Sequence, residues 1–338
     1  MRAIDIHCHM VPEGFPAPPC TCVQDKWPRM DHREKQQAMV MIGKREFRLV
    51  DQRAWDVDRR LKDMEQEDVR LQVVSPMPEL LGYWIDAESA LVLSKHVNET
   101  IANMVAKRPD HFRGLGMCPL QDIEMATREL QQIKDMGLSG VEIGSNVNGK
   151  SPGDPQFDQF FAEAERLDLS IFVHALHPTN TDRLVGQKRL AAMICFPTDV
   201  GMAAASMLTG RTLEKFPKLR IAFSHGGGTL ASFLPRLQAS WEKVAAVKGD
   251  FADPWQAARK MYFDNVVFDP HLLRYLITTF GETQICVGSD YPFRGGQKNS
   301  AAFVEALQLP VAARDDILYN NAARFLNLEP AMLAHAGA

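Results

Sequence analysis

His7-Cys8-His9 sits seven residues into the chain. In an extended strand, residues two apart point to the same face, so both imidazoles would converge on one spot. Imidazole nitrogen suits zinc and its transition-series neighbours. An HxH pair alone is as well explained by chance as by a metal. Three further groups change the balance. His174 lies in SIFVHA, His225 closes LRIAFSH and Asp290 closes QICVGSD, each at the end of an apolar run. A single such histidine is ordinarily a packed polar residue. Five imidazole and carboxylate groups brought to one place would leave buried charge that a cation satisfies simply. The chemistry expected is that of one metal site.

Convergence needs elements that end together. Eight apolar runs recur along the chain: 3–9, 71–76, 112–118, 140–144, 170–175, 219–225, 262–268 and 284–290. Periodic helical segments separate them, over 56–67, 87–107, 122–136, 155–167, 198–216, 229–247 and 271–280, with a last one at 311–326. Asp122 reads as an N-cap and Gly137 as the residue past a helix end. Strand then helix, eight times, predicts an α/β fold, a (β/α)₈ TIM barrel forming one domain over 1–338. Gly226–Gly228 lacks the GxGxxG spacing of a dinucleotide fold and follows the sixth run, not the first. These glycines are expected to let the chain pass close to the site.

Residues 10–55 break the rhythm. Roughly 45 residues with five prolines and a hairpin around Ile42-Gly43 separate the first strand from its helix. A connection that long is usually functional, so a lid over the catalytic end is expected.

With these motifs in place, the chain resembles the amidohydrolase superfamily. Within it, the chain is similar to the branch of 2-amino-3-carboxymuconate-6-semialdehyde decarboxylase-like, metal-dependent decarboxylases. The resemblance rests on the first HxH, SHGGG, GSDYPF, NNAARFL and the lid stretch MIGKREFRLVDQRAWD. It implies one divalent metal, zinc first and manganese second, held by His7, His9, His174 and Asp290. His225 would be the acid–base residue beside a water on the metal, and Asp290 would share in catalysis. Arg48 would grip a substrate carboxylate, and Arg236 would reach into a neighbouring subunit's site in a homodimer.

The chain departs from the pattern at HALHP, which offers His174 and His177. His174 ends the apolar run directly and is preferred as ligand, leaving His177 to substrate or solvent. Phe293 and Trp84 are expected as pocket walls. Arg48 equally suits a lid salt bridge. No lysine follows the fourth strand, where Glu142 is the only charged residue, so a two-metal centre built on a carbamylated lysine is not expected. Asn320-Asn321 reads as structural.

The function expected is non-oxidative decarboxylation of an unsaturated or aromatic acid. Two readings stay open: a metal-dependent hydrolase or hydratase acting on a lactone, amide or C=C, and a barrel that binds a ligand without chemistry. Bulk properties narrow the partners. Of 338 residues, 46% are hydrophobic and 24% charged, and 38 basic against 42 acidic residues leave a net charge of −4. No basic field points to nucleic acid. No run approaches an uninterrupted membrane span. Six scattered cysteines and a start without a signal-type apolar run suggest a reducing cytoplasm. Cys20-Thr21-Cys22 is weak as a metal pair and is taken as part of the lid.

Overall fold

The computed structural model describes residues 3–293 and 295–328, so both ends of the expected domain lie outside it. All eight apolar runs become parallel strands of one sheet. They are β1 (Ala3–Met10), β5 (Val69–Pro76), β6 (Phe112–Gly116), β7 (Gly140–Gly144), β8 (Ser170–His174), β9 (Ile221–Phe223), β10 (Tyr262–Asp264) and β11 (Ile285–Cys286), in that spatial order. The Ile6 N–H donates to the Val287 carbonyl at 2.9 Å, and a parallel bridge joins Asp5 to Val287. These contacts close the sheet into a (β/α)₈ barrel.

The barrel is filled, not hollow. Ile4, Ile6, Leu71, Val73, Leu115 and Phe172 form an inner core, and Phe325 and Leu326 of the last helix cover it. Ser170 Oγ, at the start of β8, donates to the Phe325 carbonyl. The last helix therefore plugs the N-terminal end and leaves the C-terminal mouth for chemistry. Asn321 is fully buried and donates to the Glu282 and Ile285 carbonyls, as a structural residue should. The outer helices start at Asp56, Asp86 and Asp122, whose carboxylates accept from backbone N–H groups three residues on.

Strands β9 and β11 are shorter than their apolar runs. His225 and Asp290 lie beyond the strand ends in the left-handed region, at φ +55° and +61°. Gly226, Gly227 and Gly228 continue with positive φ. A Cβ on Gly228 would lie 1.9 Å from the Pro197 carbonyl oxygen, so the close approach expected of these glycines is real.

Pro197 lies inside a helix that differs from the sequence reading. The helix runs Ala191–Thr209, not from Thr198, and continues through the proline. Its early turns lie beside the mouth. With the turn before it, Lys188–Thr209 is long and apolar enough by length and composition alone to cross a membrane, although Lys188, Arg189 and Asp199 interrupt its apolar residues. Val200, Ala203, Ala204 and Met207 of this helix pack into the core around the barrel.

The insertion after β1 is a three-stranded antiparallel sheet of β2 (Pro28–Glu34), β3 (Gln37–Ile42) and β4 (Arg45–Asp51). The hairpin at Gly43 is as read; β2 was not foreseen. Cys20 and Cys22 are joined in a disulfide. That corrects the reading of all six cysteines as unpaired: the chain bends after Cys20 and brings the two Cα atoms to 5.3 Å, within bridging range. It also removes cysteine usage as an argument about compartment.

Gly228→Ala should destabilise the protein by about 2 kcal/mol or more, through a forbidden backbone conformation and a clash with Pro197. Urea unfolding measures it; an unchanged midpoint would show that the turn relaxes freely.

Candidate metal centre and active-site cavity

His7 and His9 leave β1 at its C-terminal end, where the pairing with β5 shifts register between Asp5 and Cys8. Their Nε2 atoms lie 3.1 Å apart. Asp290 Oδ1 is 3.5 Å from His7 Nε2 and 3.1 Å from His9 Nε2. The His174 ring meets both edge-on, with centroids 4.9 and 4.8 Å away. His7, His9, His174 and Asp290 each present one ligand atom, all within 4.8 Å of one another.

The far side of each ring fixes what this cluster can do. His9 Nδ1 lies 2.9 Å from the Pro76 carbonyl, and His174 Nδ1 lies 2.9 Å from the Ala175 carbonyl. A carbonyl only accepts, so both Nδ1 atoms carry protons. His7 Nδ1 donates to Asp264 Oδ2 at 2.5 Å. The Asp264 carboxylate also accepts from the backbone N–H groups of His225, Gly226 and Val266. Burial opposes its ionisation, but the hydrogen bond and charge of His7 outweigh that and hold Asp264 below the usual carboxylate range. With Nδ1 committed on all three rings, each Nε2 offers a lone pair. His174 Nε2 is buried without a partner. Lone pairs this close repel one another unless a positive charge sits among them, and three imidazoles with one carboxylate suit a divalent cation.

In the cation's absence a proton competes for the same place. Burial disfavours the imidazolium of His7, but hydrogen bonds to Asp264 and Asp290 push it up to about 10. Burial takes His9 down to about 4 and His174 well below its usual range. Asp290 is resisted by burial yet held well below the usual range by hydrogen bonds from His7 and His9.

Three supporting roles escaped the sequence reading. Asp264 sits inside the run YFDNVVF and carried the same signal as Asp290, an acid in an apolar strand. Glu142 lies behind His9, not among the ligand atoms. Its Oε2 is 3.6 Å from His9 Nδ1 and accepts from Ser75 Oγ at 2.5 Å. Burial pushes its carboxyl up to about 8, against the Ser75 hydrogen bond. Arg60 is fully buried, donates to the His9 carbonyl and lies over the Tyr291 ring at 4.9 Å. Nothing in its charged helical context distinguishes it.

A cavity of about 440 Å³ opens onto the cluster, with His174, His225 and Asp290 on one side and Arg48 and Phe293 on another. Burial, then the charge of His7, lowers His225 below the usual imidazole range. Its Nδ1 is 3.0 Å from Ser224 Oγ. Phe293 stacks on His9 at 5.2 Å, and the Arg48 guanidinium lies 4.1 Å above Phe293. Arg48 has no hydrogen-bond or ion-pair partner among the described residues, which removes the lid salt bridge as its explanation.

His177 lines this cavity outside the ligand cluster, with Nε2 2.9 Å from Glu79 Oε2. Trp84 does not wall the cavity. It stacks on His177 at 4.1 Å from the side of a separate shallow depression, because the turn after β5 carries it behind that ring. Arg236 is exposed on the helix Leu230–Lys243 and does not line the cavity of its own chain.

Barrel, lid and a three-histidine, one-carboxylate cluster at the C-terminal mouth define a barrel-enzyme class built around a single cation. The chain belongs to the amidohydrolase family, whose sequence model matches residues 4–328. It is 32% identical over 332 residues to the 2-amino-3-carboxymuconate-6-semialdehyde decarboxylase of Dictyostelium discoideum, covering 97% of this chain and 92% of that protein. It is 26% identical to the gamma-resorcylate decarboxylase of Rhodococcus jostii, covering 80% and 88%. The fold matches a dihydroxybenzoic acid decarboxylase from Polaromonas, solved with bound manganese and 2-nitroresorcinol. There the TM-score is 0.76 at 20% identity, over 97% of both chains.

Asp264→Asn should leave the fold intact but remove the charge that orients His7, lowering metal affinity about 10- to 100-fold. Competition with a chelator measures it; undiminished affinity would mean that His7 needs no such partner.

Proposed function

We propose that this protein is a metal-dependent, non-oxidative decarboxylase of an unsaturated or aromatic carboxylic acid. A substrate like 2-amino-3-carboxymuconate-6-semialdehyde is the first choice, and a hydroxybenzoate the next. The observation that carries this reading is Arg48, a guanidinium lining the cavity beside the His/Asp cluster with no hydrogen-bond or ion-pair partner among the described residues. A substrate carboxylate supplies that counter-ion through paired N–H donors. The decarboxylases among its relatives support the reading.

His7, His9, His174 and Asp290 are the residues that would hold the cation. When bound, it supplies positive charge that draws electrons from an enol, carbonyl or carboxylate oxygen of the substrate. The imidazole-rich set favours zinc, and the Polaromonas structure makes manganese the alternative. Arg48 and the Phe293 ring orient the substrate. As the C–C bond breaks, CO₂ leaves and the electron pair stays on carbon. His225, neutral at neutral pH, takes a proton from water or a substrate hydroxyl and returns it to that carbon. Asp290 shares in this by holding charge at the reacting end. His177 meets the substrate across the cavity, and Trp84 steadies it from behind.

A homodimer completes the proposal. Arg236 is exposed on an outer helix, and Met193, Ile194, Phe268 and Leu272 form exposed apolar surface around the mouth. A second copy would cover such surface. The proposed compartment remains the cytoplasm.

Purified, metal-loaded protein should release CO₂ from such acids; hydrolysis or hydration without CO₂ would replace this reading with the hydrolase one. His225→Ala should retain the metal and lose about 10²- to 10⁴-fold in kcat. Near-normal kcat would end the proton-transfer role. Arg48→Ala should raise KM about tenfold or more with a smaller change in kcat, and steady-state kinetics with an unchanged KM would return Arg48 to a structural role.

A further inference from the structure

Glu79 belongs to the short turn Pro78–Leu81 that follows β5. It is nine-tenths buried, yet its carboxylate lines both the active-site cavity and the depression beside it. Nothing in the metal cluster or the proton transfer requires it. One oxygen meets His177 Nε2 at 2.9 Å and the other lies 3.6 Å from the Arg45 guanidinium of the lid. A carboxylate has about four lone-pair sites, so these two contacts leave accepting capacity free.

The surroundings hold this acceptor in place. His177 adopts φ +40°, a conformation that a non-glycine residue keeps only when its neighbours impose it. Asn146 Nδ2 donates to the Leu176 and His177 carbonyls, at 2.8 and 3.3 Å. Trp84 stacks on the His177 ring with the planes 11° apart. Trp84 thus holds one face of the imidazole and Asn146 holds its backbone, and the ring meets Glu79 in turn. Arg48 lines the same cavity. The cavity therefore has on one side a cation with no hydrogen-bond or ion-pair partner among the described residues, and on another a fixed, partly unused hydrogen-bond acceptor.

We infer that Glu79, positioned by His177 and Trp84, is a specificity-determining residue. It accepts a hydrogen bond from an amino or hydroxyl group of the substrate, so the ligand class is a carboxylic acid that also bears an N–H or O–H donor. The inference rests on reading this cavity as the substrate site. A ligand without the donor covers a buried carboxylate and gives it nothing in exchange for water. A site built around a hydrogen bond rejects such an analogue more strongly than an apolar pocket rejects a missing methylene.

Calorimetric binding to zinc-loaded protein tests this without turnover. The probes are benzoate and the 2-, 3- and 4-isomers of hydroxybenzoate and aminobenzoate. At least one donor-bearing isomer should bind about tenfold more tightly than benzoate. Glu79→Leu should abolish that preference and leave benzoate affinity within about twofold. Glu79→Gln should reduce it severalfold, and serves alone if the leucine variant does not fold. The inference is overturned if no isomer is preferred, if the preference survives in the variant, or if benzoate and the isomers weaken equally, as a purely structural Glu79 would make them. A Glu79-dependent preference in a protein that releases no CO₂ from any acid would sink the decarboxylase reading and leave this inference standing.

Discussion

Three imidazole lone pairs and one carboxylate pointed at the same small volume are the constraint around which this molecule is arranged. Left alone they repel, and the three imidazoles are buried where water screens little. The barrel holds them by committing the opposite edge of every ring. Asp264 accepts a hydrogen bond from His7 Nδ1, the Pro76 carbonyl accepts one from His9 Nδ1, and the Ala175 carbonyl accepts one from His174 Nδ1. Asp264 is itself pinned by three backbone N–H groups from the turns at the ends of β9 and β10. The same carboxylate therefore orients a ligand and shapes the loop that presents His225.

This arrangement separates the two ends of the barrel. The N-terminal end is closed by apolar packing around Phe172, Phe325 and Leu326. At the C-terminal end, His177, His225 and Asp290 stand at positive φ, and the last of three consecutive glycines lies against Pro197. Strained conformations persist where surrounding structure over-determines them, and sites are where they concentrate. Here His177, His225 and Asp290 each line the cavity.

The lid and the helix Ala191–Thr209 turn that mouth into a cavity. β4 delivers Arg48 onto Phe293, and Phe293 in turn lies on His9. Stacking compensates the guanidinium in part, by roughly 1–2 kcal/mol for such a cation on a ring. It leaves the donors unused. A half-buried cation with no ion-pair partner among the described residues costs stability, and that cost is recovered when an anion arrives.

Much of this was legible in the sequence. Apolar runs alternating with helical periodicity determined eight barrel strands, because a parallel strand buried on both faces must be apolar throughout. Polar residues at the ends of those runs marked His7, His9, His174, His225 and Asp290, because only a site explains charge placed beside a core. Other features were decided by tertiary structure alone. Trp84 looked like a wall and is a support for His177, since a turn decides which side of a ring faces the cavity. Arg60, one of several charged residues on its helix, is buried beneath the His9 carbonyl. Cys20 and Cys22 meet because the chain bends between them, and Glu79 became part of the site because folding set it beside His177 across 98 residues of chain. Local pattern determines what a residue is suited to touch. Which partner it meets depends on contacts between segments distant in the chain, and those no local pattern encodes.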